Sequence, residues 1–543
     1  MKLERTVVAA ALSMCVVAAS VCGAGIPRLA KQGGVVQLLV DDKPFLILGG
    51  ELGNSTASDL RALEAVWPKC AQLGMNTVLA PVYWEMLEPQ EGVYDSVLVD
   101  SLLVQARRHG FRLVLLWFGS WKNSMSCYAP LWVKADPDRF PRARERCGRP
   151  LEILSPFYEA NREADARAFR NLMAHLRKVD GNARTVVMVQ VENEVGMIPD
   201  PRDYGEKATA LFASEVPAPL IQYLVSHREN LRRELIDLWR GSGFRTSGTW
   251  EEVFGKGERA EELFMAWHLC RYVDEVAAAG KEEYPLPMFV NAALNRPGYR
   301  PGEYPSGGPV PHLLDIWRAG AQAIDFFAPD IYFADFANWC EKYTHAGNPL
   351  FVPEANRGDQ AAVYALYAVG QHDALGFSPF AVESIADPGA HPLREAYRLL
   401  RELAPILPAH AGRGKRVGVL LSQDKQTVVV NFDPYALSVA HDFTFKWARR
   451  PENLTSWPEV GGLILRTAPD EFIVAGSGIL VTFSFAEGTR EIAGIAQIDE
   501  GTFVGGRFVP RRRLNGDESH QGRHLRIPSG QFGIQRVRLY RYW

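Results

Sequence analysis

Cysteine is scarce in this chain and follows no pattern. Only seven of 543 residues are cysteine, and two of them, Cys15 and Cys22, fall in the first 24 residues. The other five (Cys70, Cys127, Cys147, Cys270 and Cys340) show no CxxC spacing, which argues against a thiolate metal site. Five is an odd number, so at least one thiol stays free; Cys127 and Cys147 are the nearest pair in sequence. Charge of one sign is also lacking. The formal net charge is −3, without the basic footprint that a nucleic-acid partner would require. Beyond the N-terminus there is no apolar run long enough to cross a bilayer. No His or Asp/Glu spacing suggests a metal, and no glycine-rich phosphate loop follows a strand. No cofactor is therefore expected. There is no low-complexity segment and no internal repeat.

The N-terminus has the layout of an export signal. Lys2 and Arg5 form a positive start, Thr6 to Ala19 is apolar, and Cys22-Gly23-Ala24 offers a cleavage site after Ala24. Residues 1–24 are thus expected to be a signal peptide and the mature protein to be periplasmic. Secretion, or a lipid anchor through Cys22, stays open.

What the chain does contain is a large core. Hydrophobic residues make up 47% and aromatic residues 11%. The run Thr185-Val186-Val187-Met188-Val189-Gln190-Val191 has the β-branched composition of a strand buried on both faces. It ends abruptly in Glu192-Asn193-Glu194. Polar groups at the C-terminal end of such a strand stand where a parallel barrel builds its active site. Strand-like runs recur with helical segments between them: Lys43–Glu51, Met75–Ala80, Arg112–Phe118, Thr185–Val191, Leu286–Ala292, Ile324–Tyr332, Pro349–Ala355 and Ala374–Glu383. Alternation of this kind predicts parallel strands joined by right-handed crossovers. A single helix is expected over 58–73, and the aromatic loop after the third strand is expected to hold substrate. After about Gly412 the texture changes to short strands with turns between them. The expected architecture is α/β: a (β/α)8 TIM barrel over 25–410 and a C-terminal all-β sandwich over 411–543.

Two carboxyl groups facing each other across a barrel mouth suit glycosidic bond cleavage, in which one donates a proton and the other attacks or activates water. Glu194 ends the fourth strand and Glu354 the seventh. They are 160 residues apart in sequence, but those strand ends lie across the mouth. Glu383, ending the eighth strand, is the rival for the second position. Glu192 reads as a supporting carboxylate.

These same residues carry a resemblance. Gln190-Val191-Glu192-Asn193-Glu194-Val195-Gly196 resembles the acid/base motif of glycoside hydrolase family 35 β-galactosidases. Trp84, Glu88-Pro89 and Gly92-Val93-Tyr94 resemble that family's Trp-x-x-x-Glu-Pro-x-x-Gly-x-Tyr segment. The resemblance implies that Glu194 is the general acid/base, Glu354 the nucleophile and Asn193 a ligand of the sugar 2-hydroxyl. It also implies a retaining mechanism, with carboxyls about 5 Å apart. The family's Cys-Ala-Glu-Trp after strand three is here Trp117-Phe118-Gly119-Ser120-Trp121-Lys122-Asn123, without a carboxylate, and Pro81 replaces a sugar-binding tyrosine. Ala328-Pro329-Asp330-Ile331-Tyr332 and the compact sandwich are similar to a bacterial subgroup associated with xyloglucan side chains. Tyr332, Glu51, Trp84, Trp121, Asn291 and Glu383 are the further candidates for substrate contact. The expected partner is an oligosaccharide, and the oligomeric state is open. The resulting expectation is an exported exo-β-galactosidase acting on plant cell-wall oligosaccharides. The alternatives are a β-glycosidase with another terminal sugar and a non-catalytic carbohydrate-binding protein.

Overall fold

The computed structural model describes residues 25–543 except 413, 452 and 487–489. The signal expected over 1–24 lies outside the described residues. Eight parallel strands close into a barrel. They are β1 (Ile47–Leu48), β2 (Thr77–Tyr83), β3 (Arg112–Lys122), β4 (Val186–Asn193), β5 (Met288–Ala293), β6 (Phe326–Ile331), β7 (Glu354–Ala355) and β8 (Gly376–Phe377). Strands β2 to β7 form one continuous sheet, and β8 pairs with β1. Single bridges complete the ring: Glu51 pairs with Leu79 on one side and Phe380 on the other, and Val352 pairs with Phe377.

Alternation along the strands separates two apolar surfaces. Val114, Leu116 and Phe118 of β3 point into the lumen, where they join Leu79, Phe289, Phe326 and Phe351. Phe289 stacks on Phe326 at 5.2 Å and meets Phe351 edge-on at 5.4 Å. The lumen is therefore a packed core and not a pore. Leu38 and Val40, from the hairpin Arg28–Gln32 and Val35–Val40, belong to the same cluster. The outward residues Leu113, Leu115 and Trp117 pack with the helices. Among these are α1 (Glu159–Asp180) and α2 (Glu258–Glu283). They approach closely at Gly280, where a Cβ would lie 2.3 Å from the Phe169 ring.

The helix expected over 58–73 is broken into Leu60–Glu64 and Trp67–Gln72. Pro68 is the reason: it supplies no N–H and fits only in a first helical turn. Asp59 caps the first piece by accepting from the Arg61 and Ala62 amides. Between β4 and β5 two further helices, Ala218–Ser226 and Arg233–Gly241, follow each other in the same way.

Beyond the barrel, two antiparallel sheets face each other. The larger orders its strands Arg416–Leu421, Val460–Ala468, Glu471–Ser477, Gly533–Tyr542, Ile492–Val504 and Arg507–Arg513; the smaller, Thr427–Phe432, Tyr435–His441, Ile479–Phe485 and Leu525–Ile527. Ile464, Phe472, Val474 and Val537 point inward against Leu437, Val439 and Val481. Their neighbours Leu463, Leu465, Ile473 and Ala475 point the other way, into the cluster formed by the barrel helices. Those helices include α3 (Ala361–His372) and α4 (Pro392–Leu403). The strand Tyr435–His441 runs directly into a short turn of 3-10 helix, Asp442–Thr444. All five described cysteines are free, Cys127 and Cys147 included.

Candidate active site

The site is built where β4 loses its regular twist. All eight residues of β4 are buried, and its last residues take alternating backbone states. Glu192 has φ 62° and Glu194 φ 46°, a left-handed region that costs side chains about 1 kcal/mol or more and recurs at functional sites. The reversal separates three polar side chains that a regular strand would place on alternating faces. Glu192 turns behind the barrel wall, where one oxygen accepts the Trp121 amide at 2.8 Å. Burial and the neighbouring Asp165 raise its pKa. Asn193 and Glu194 turn to the mouth.

Strand β3 answers with a bulge. Trp117 pairs with Val191, yet the next pairing is Lys122 with Asn193, five residues on from Trp117 but only two on from Val191. Bulges re-aim side chains beside active sites. Here the bulge tucks Gly119 against Glu192 and Asp165. It brings Lys122 back opposite Asn193, where Nζ donates to the Asn193 Oδ1 at 2.7 Å and the Asn123 Oδ1 at 2.5 Å. Strand three was expected to end at Phe118 and to open into an aromatic substrate loop. It runs on to Lys122, and Trp117, Phe118 and Trp121 are wholly buried.

Glu194, Asp330 and Glu354 converge: one carboxyl oxygen from each lies within 4.8 Å of the other two. Strand register sets part of this, since Asp330 of β6 sits directly beside Glu354 of β7. The Tyr332 hydroxyl donates to the Glu354 Oε2 at 2.9 Å, and the Asn193 Nδ2 approaches Oε1 at 3.5 Å. Asn291 braces two elements at once, accepting the Glu194 amide at 2.9 Å and donating to the Asp330 Oδ2 at 2.7 Å. Glu51, just past the first strand, is fully buried and within electrostatic reach of Glu354, Lys122 and Glu194.

Like charges at 4.8 Å repel by about 3 kcal/mol each at an effective dielectric near 20, so these carboxyls cannot all ionise together. Burial, then the neighbouring Glu354 carboxyl, pushes Glu194 up to about 7. The same two causes hold Glu51 and Asp330 well above the usual carboxylate range. Lys122 opposes the rise at Glu51 and Glu194. The arrangement can keep one carboxyl protonated near neutrality beside another that is supplied with hydrogen-bond donors. That is the requirement for transferring a proton to a leaving oxygen while attacking carbon.

Among the residues expected to contact substrate, the structure assembles Glu51, Asn193, Glu194, Tyr332 and Glu354. Four others are corrected. Trp84 is fully buried, with its indole N–H on the Glu88 Oε2 at 2.9 Å. Trp121 is fully buried edge-on to Tyr272, their rings 4.7 Å apart. Asn291 spends both ends of its amide on protein. Glu383 anchors the loop after strand one, accepting from the Gly53 amide at 2.8 Å and the Thr56 hydroxyl at 2.5 Å. Trp84, Trp121 and Asn291 are wholly buried and the half-buried Glu383 holds the loop after strand one, so the structure gives these four packing and bracing roles. Lys122 and Asp330 were not singled out from the sequence. Asp330 is the last residue but one of strand six, two residues before Tyr332, which is a readable signal. Lys122 carried none, because a bulge placed it.

Residues 58–239 match the Glyco_hydro_42 family, described as beta-galactosidase. Residues 393–526 match a domain of unknown function, DUF5597. A beta-galactosidase of Xanthomonas manihotis is 26% identical over 213 residues, which are 37% of this chain and 32% of that protein. The chain thus aligns with about a third of that relative's length. The beta-galactosidase structure from Rahnella sp. R3 superposes with a TM-score of 0.46 at 16% identity, covering 67% of this chain and 57% of the other. That of Bacillus circulans sp. alkalophilus gives 0.45 at 14%, covering 66% and 56%. By the family model and the Xanthomonas relative this part of the chain is beta-galactosidase-like, and Glyco_hydro_42 is a different family from the family 35 that its motifs resemble. The matched span contains Asn193 and Glu194; Glu354 lies outside it.

Proposed function

We propose that this chain is a retaining exo-β-galactosidase. Glu194 protonates the leaving oxygen, Glu354 attacks the anomeric carbon, and water activated by Glu194 then releases the sugar. The observation that carries the reading is the separation of these two carboxyls, whose oxygens come within 4.8 Å. Retaining enzymes hold the pair about 5–5.5 Å apart, whereas inverting enzymes leave about 6.5–9.5 Å for a water. The supply of donors to Glu354 from Tyr332 and Asn193 and the elevated Glu194 support the same division of labour. The match of residues 58–239 to a family described as beta-galactosidase supports galactose. The xyloglucan side chain and family 35 readings rest on the sequence motifs, and export rests on the leader pattern of residues 1–24.

The test is hydrolysis of an aryl β-galactoside and of galactosylated xyloglucan oligosaccharides, with the first-formed product anomer read by NMR. The β-anomer is expected, and Glu194→Gln and Glu354→Gln should each lower kcat by at least about 1,000-fold while retaining ligand binding. An α-anomer, or full activity in Glu354→Gln, would overturn the mechanism. Release of a different terminal sugar, with no galactose, would overturn the specificity. N-terminal sequencing of the protein recovered from the periplasm tests export, cleavage after Ala24 being the expected result.

A further inference from the structure

Two buried carboxyls at this site lack the hydrogen-bond donors that an ionised group would need. Among the described residues neither oxygen of Glu51 has a hydrogen-bond partner, although the residue is wholly buried. The Asp330 Oδ2 takes the Asn291 amide, but its Oδ1 is buried with no partner. What these oxygens face is other carboxyls. Glu51 is turned toward Glu354, and Asp330 lies against Glu194 and Glu354. Two ionised carboxylates offer each other only lone pairs, so such a contact becomes a hydrogen bond only when one partner carries a proton.

We propose that Glu51 and Asp330 are neutral carboxylic acids that act as positioning residues, Glu51 donating to Glu354 and Asp330 donating through Oδ1 to Glu194. The proposal rests on the roles given above to Glu194 and Glu354. The titratable groups that face the cluster are Glu51 from β1's end, Lys122 from β3, Glu194 from β4's end, Asp330 and Tyr332 from β6's end, Glu354 from β7, and Tyr343 of the helix Phe336–Tyr343 near Asp330. With Glu51, Asp330 and Glu194 protonated, one carboxylate on Glu354 is balanced by one ammonium on Lys122, and the buried site is neutral. Any further ionisation leaves an uncompensated charge out of water. The elevated pKa of both groups, caused first by burial and then by Glu354, agrees with this count.

The arrangement has a consequence for each step. When Glu194 gives its proton to the leaving oxygen it becomes a carboxylate, and the Asp330 hydroxyl is already aimed at it. That bond turns charge-assisted only as the transfer proceeds, so it favours the transition state over the resting state. An ionised Asp330 would repel the same developing charge. The Glu51 hydroxyl holds the Glu354 carboxylate in one orientation and disperses its charge, which helps it leave again when the glycosyl group is released.

The experiment compares Glu51→Gln and Asp330→Asn with Glu51→Leu and Asp330→Leu. An amide is neutral and still donates; leucine keeps bulk alone. The amide variants are expected to lose about tenfold in kcat, since N–H is the weaker donor, with the alkaline limb of the pH profile in place. The leucine variants should lose at least about 1,000-fold. If an amide variant moves the alkaline limb by about one pH unit or more, or falls as far as leucine, the proposal is overturned. Infrared spectra of the substrate-free protein at neutral pH supply a readout independent of turnover and of whether the leucine variants fold. The carbonyl bands of protonated carboxylic acids should be present in the wild type and diminished in each amide variant. Their absence from the wild type overturns the proposal, whereas bands that behave as expected in a protein that releases no galactose overturn only the functional reading.

Discussion

A carboxyl that donates a proton at neutral pH must be kept from ionising by its surroundings. Here burial and Glu354 raise Glu194 to about 7, while Lys122 pulls it down. The sign follows directly. The donor form is the protonated one, so activity should fall as pH rises through about 7. Removing the opposing cation in Lys122→Met should move that alkaline limb to higher pH. It should also lower kcat, because Asn193 loses its 2.7 Å anchor and with it the amide orientation toward Glu354. A pH–kcat profile of both proteins checks this, and a limb that moves downward in Lys122→Met would contradict it. The residue scale is also where the sequence was most legible. Glu194 and Glu354 could be chosen because each follows an apolar run that ends abruptly. Trp84, Trp121 and Asn291 misled for the same reason. A strand-end position says that a side chain is near the mouth, not whether it faces the mouth, the wall behind it or a neighbouring strand.

At the scale of elements, two irregularities shape the site, the left-handed end of β4 and the bulge in β3. Neither has a periodicity to read. The exit of β4 is braced by the loop after β5: Met197 pairs with Ser306, and Gly308 packs so tightly that a Cβ would lie 2.0 Å from the Val195 carbonyl oxygen. Both sides of that contact are backbone, so neither can yield cheaply. Gly308→Ala should displace the segment that carries Glu194, lowering kcat by at least about tenfold and costing about 1–3 kcal/mol or more of stability. Thermal melts and kinetics on the purified variant measure both, and an unaffected kcat would show that the brace does not position Glu194. The regular strands and the helices between them were readable, since burial on both faces leaves a continuous apolar run and helix caps leave Asp, Gly and Pro. Over 58–73 the hydrophobic spacing predicts one helix, but Pro68 inside the run breaks it in two.

At the scale of the molecule, the sandwich is bonded into the barrel. The larger sheet has two apolar faces: Ile464, Phe472 and Val474 cover its partner sheet, and Leu463, Leu465, Ile473 and Ala475 pack into the barrel helices' core. Gly370 of α3 and Gly418 approach so closely that a Cβ on Gly370 would lie 2.9 Å from the Gly418 Cα. Asp373 pairs with Arg416, and Glu402 of α4 accepts from the Thr502 hydroxyl and the Phe503 amide. Each buried leucine in such a contact contributes about 1.5–3 kcal/mol. A chain ending at residue 411 should therefore expose an apolar helix face and aggregate, while the intact protein should unfold in one calorimetric transition. A soluble, active 25–411 fragment would show that the sandwich is dispensable to the barrel.

The sequence by itself determined the alternation of strand and helix, the change to an all-β region, and the two glutamates that end strands four and seven. These are local facts, written in hydrophobic period and in where an apolar run stops. Tertiary structure alone decided which polar side chains share a space. Lys122 returns to Asn193 through a bulge, Asp330 meets Glu194 through the curvature of the sheet, and Glu51 reaches Glu354 because the barrel closes the first strand against the eighth. Contacts of that kind depend on ring closure and backbone reversal across hundreds of residues, and no local pattern encodes them.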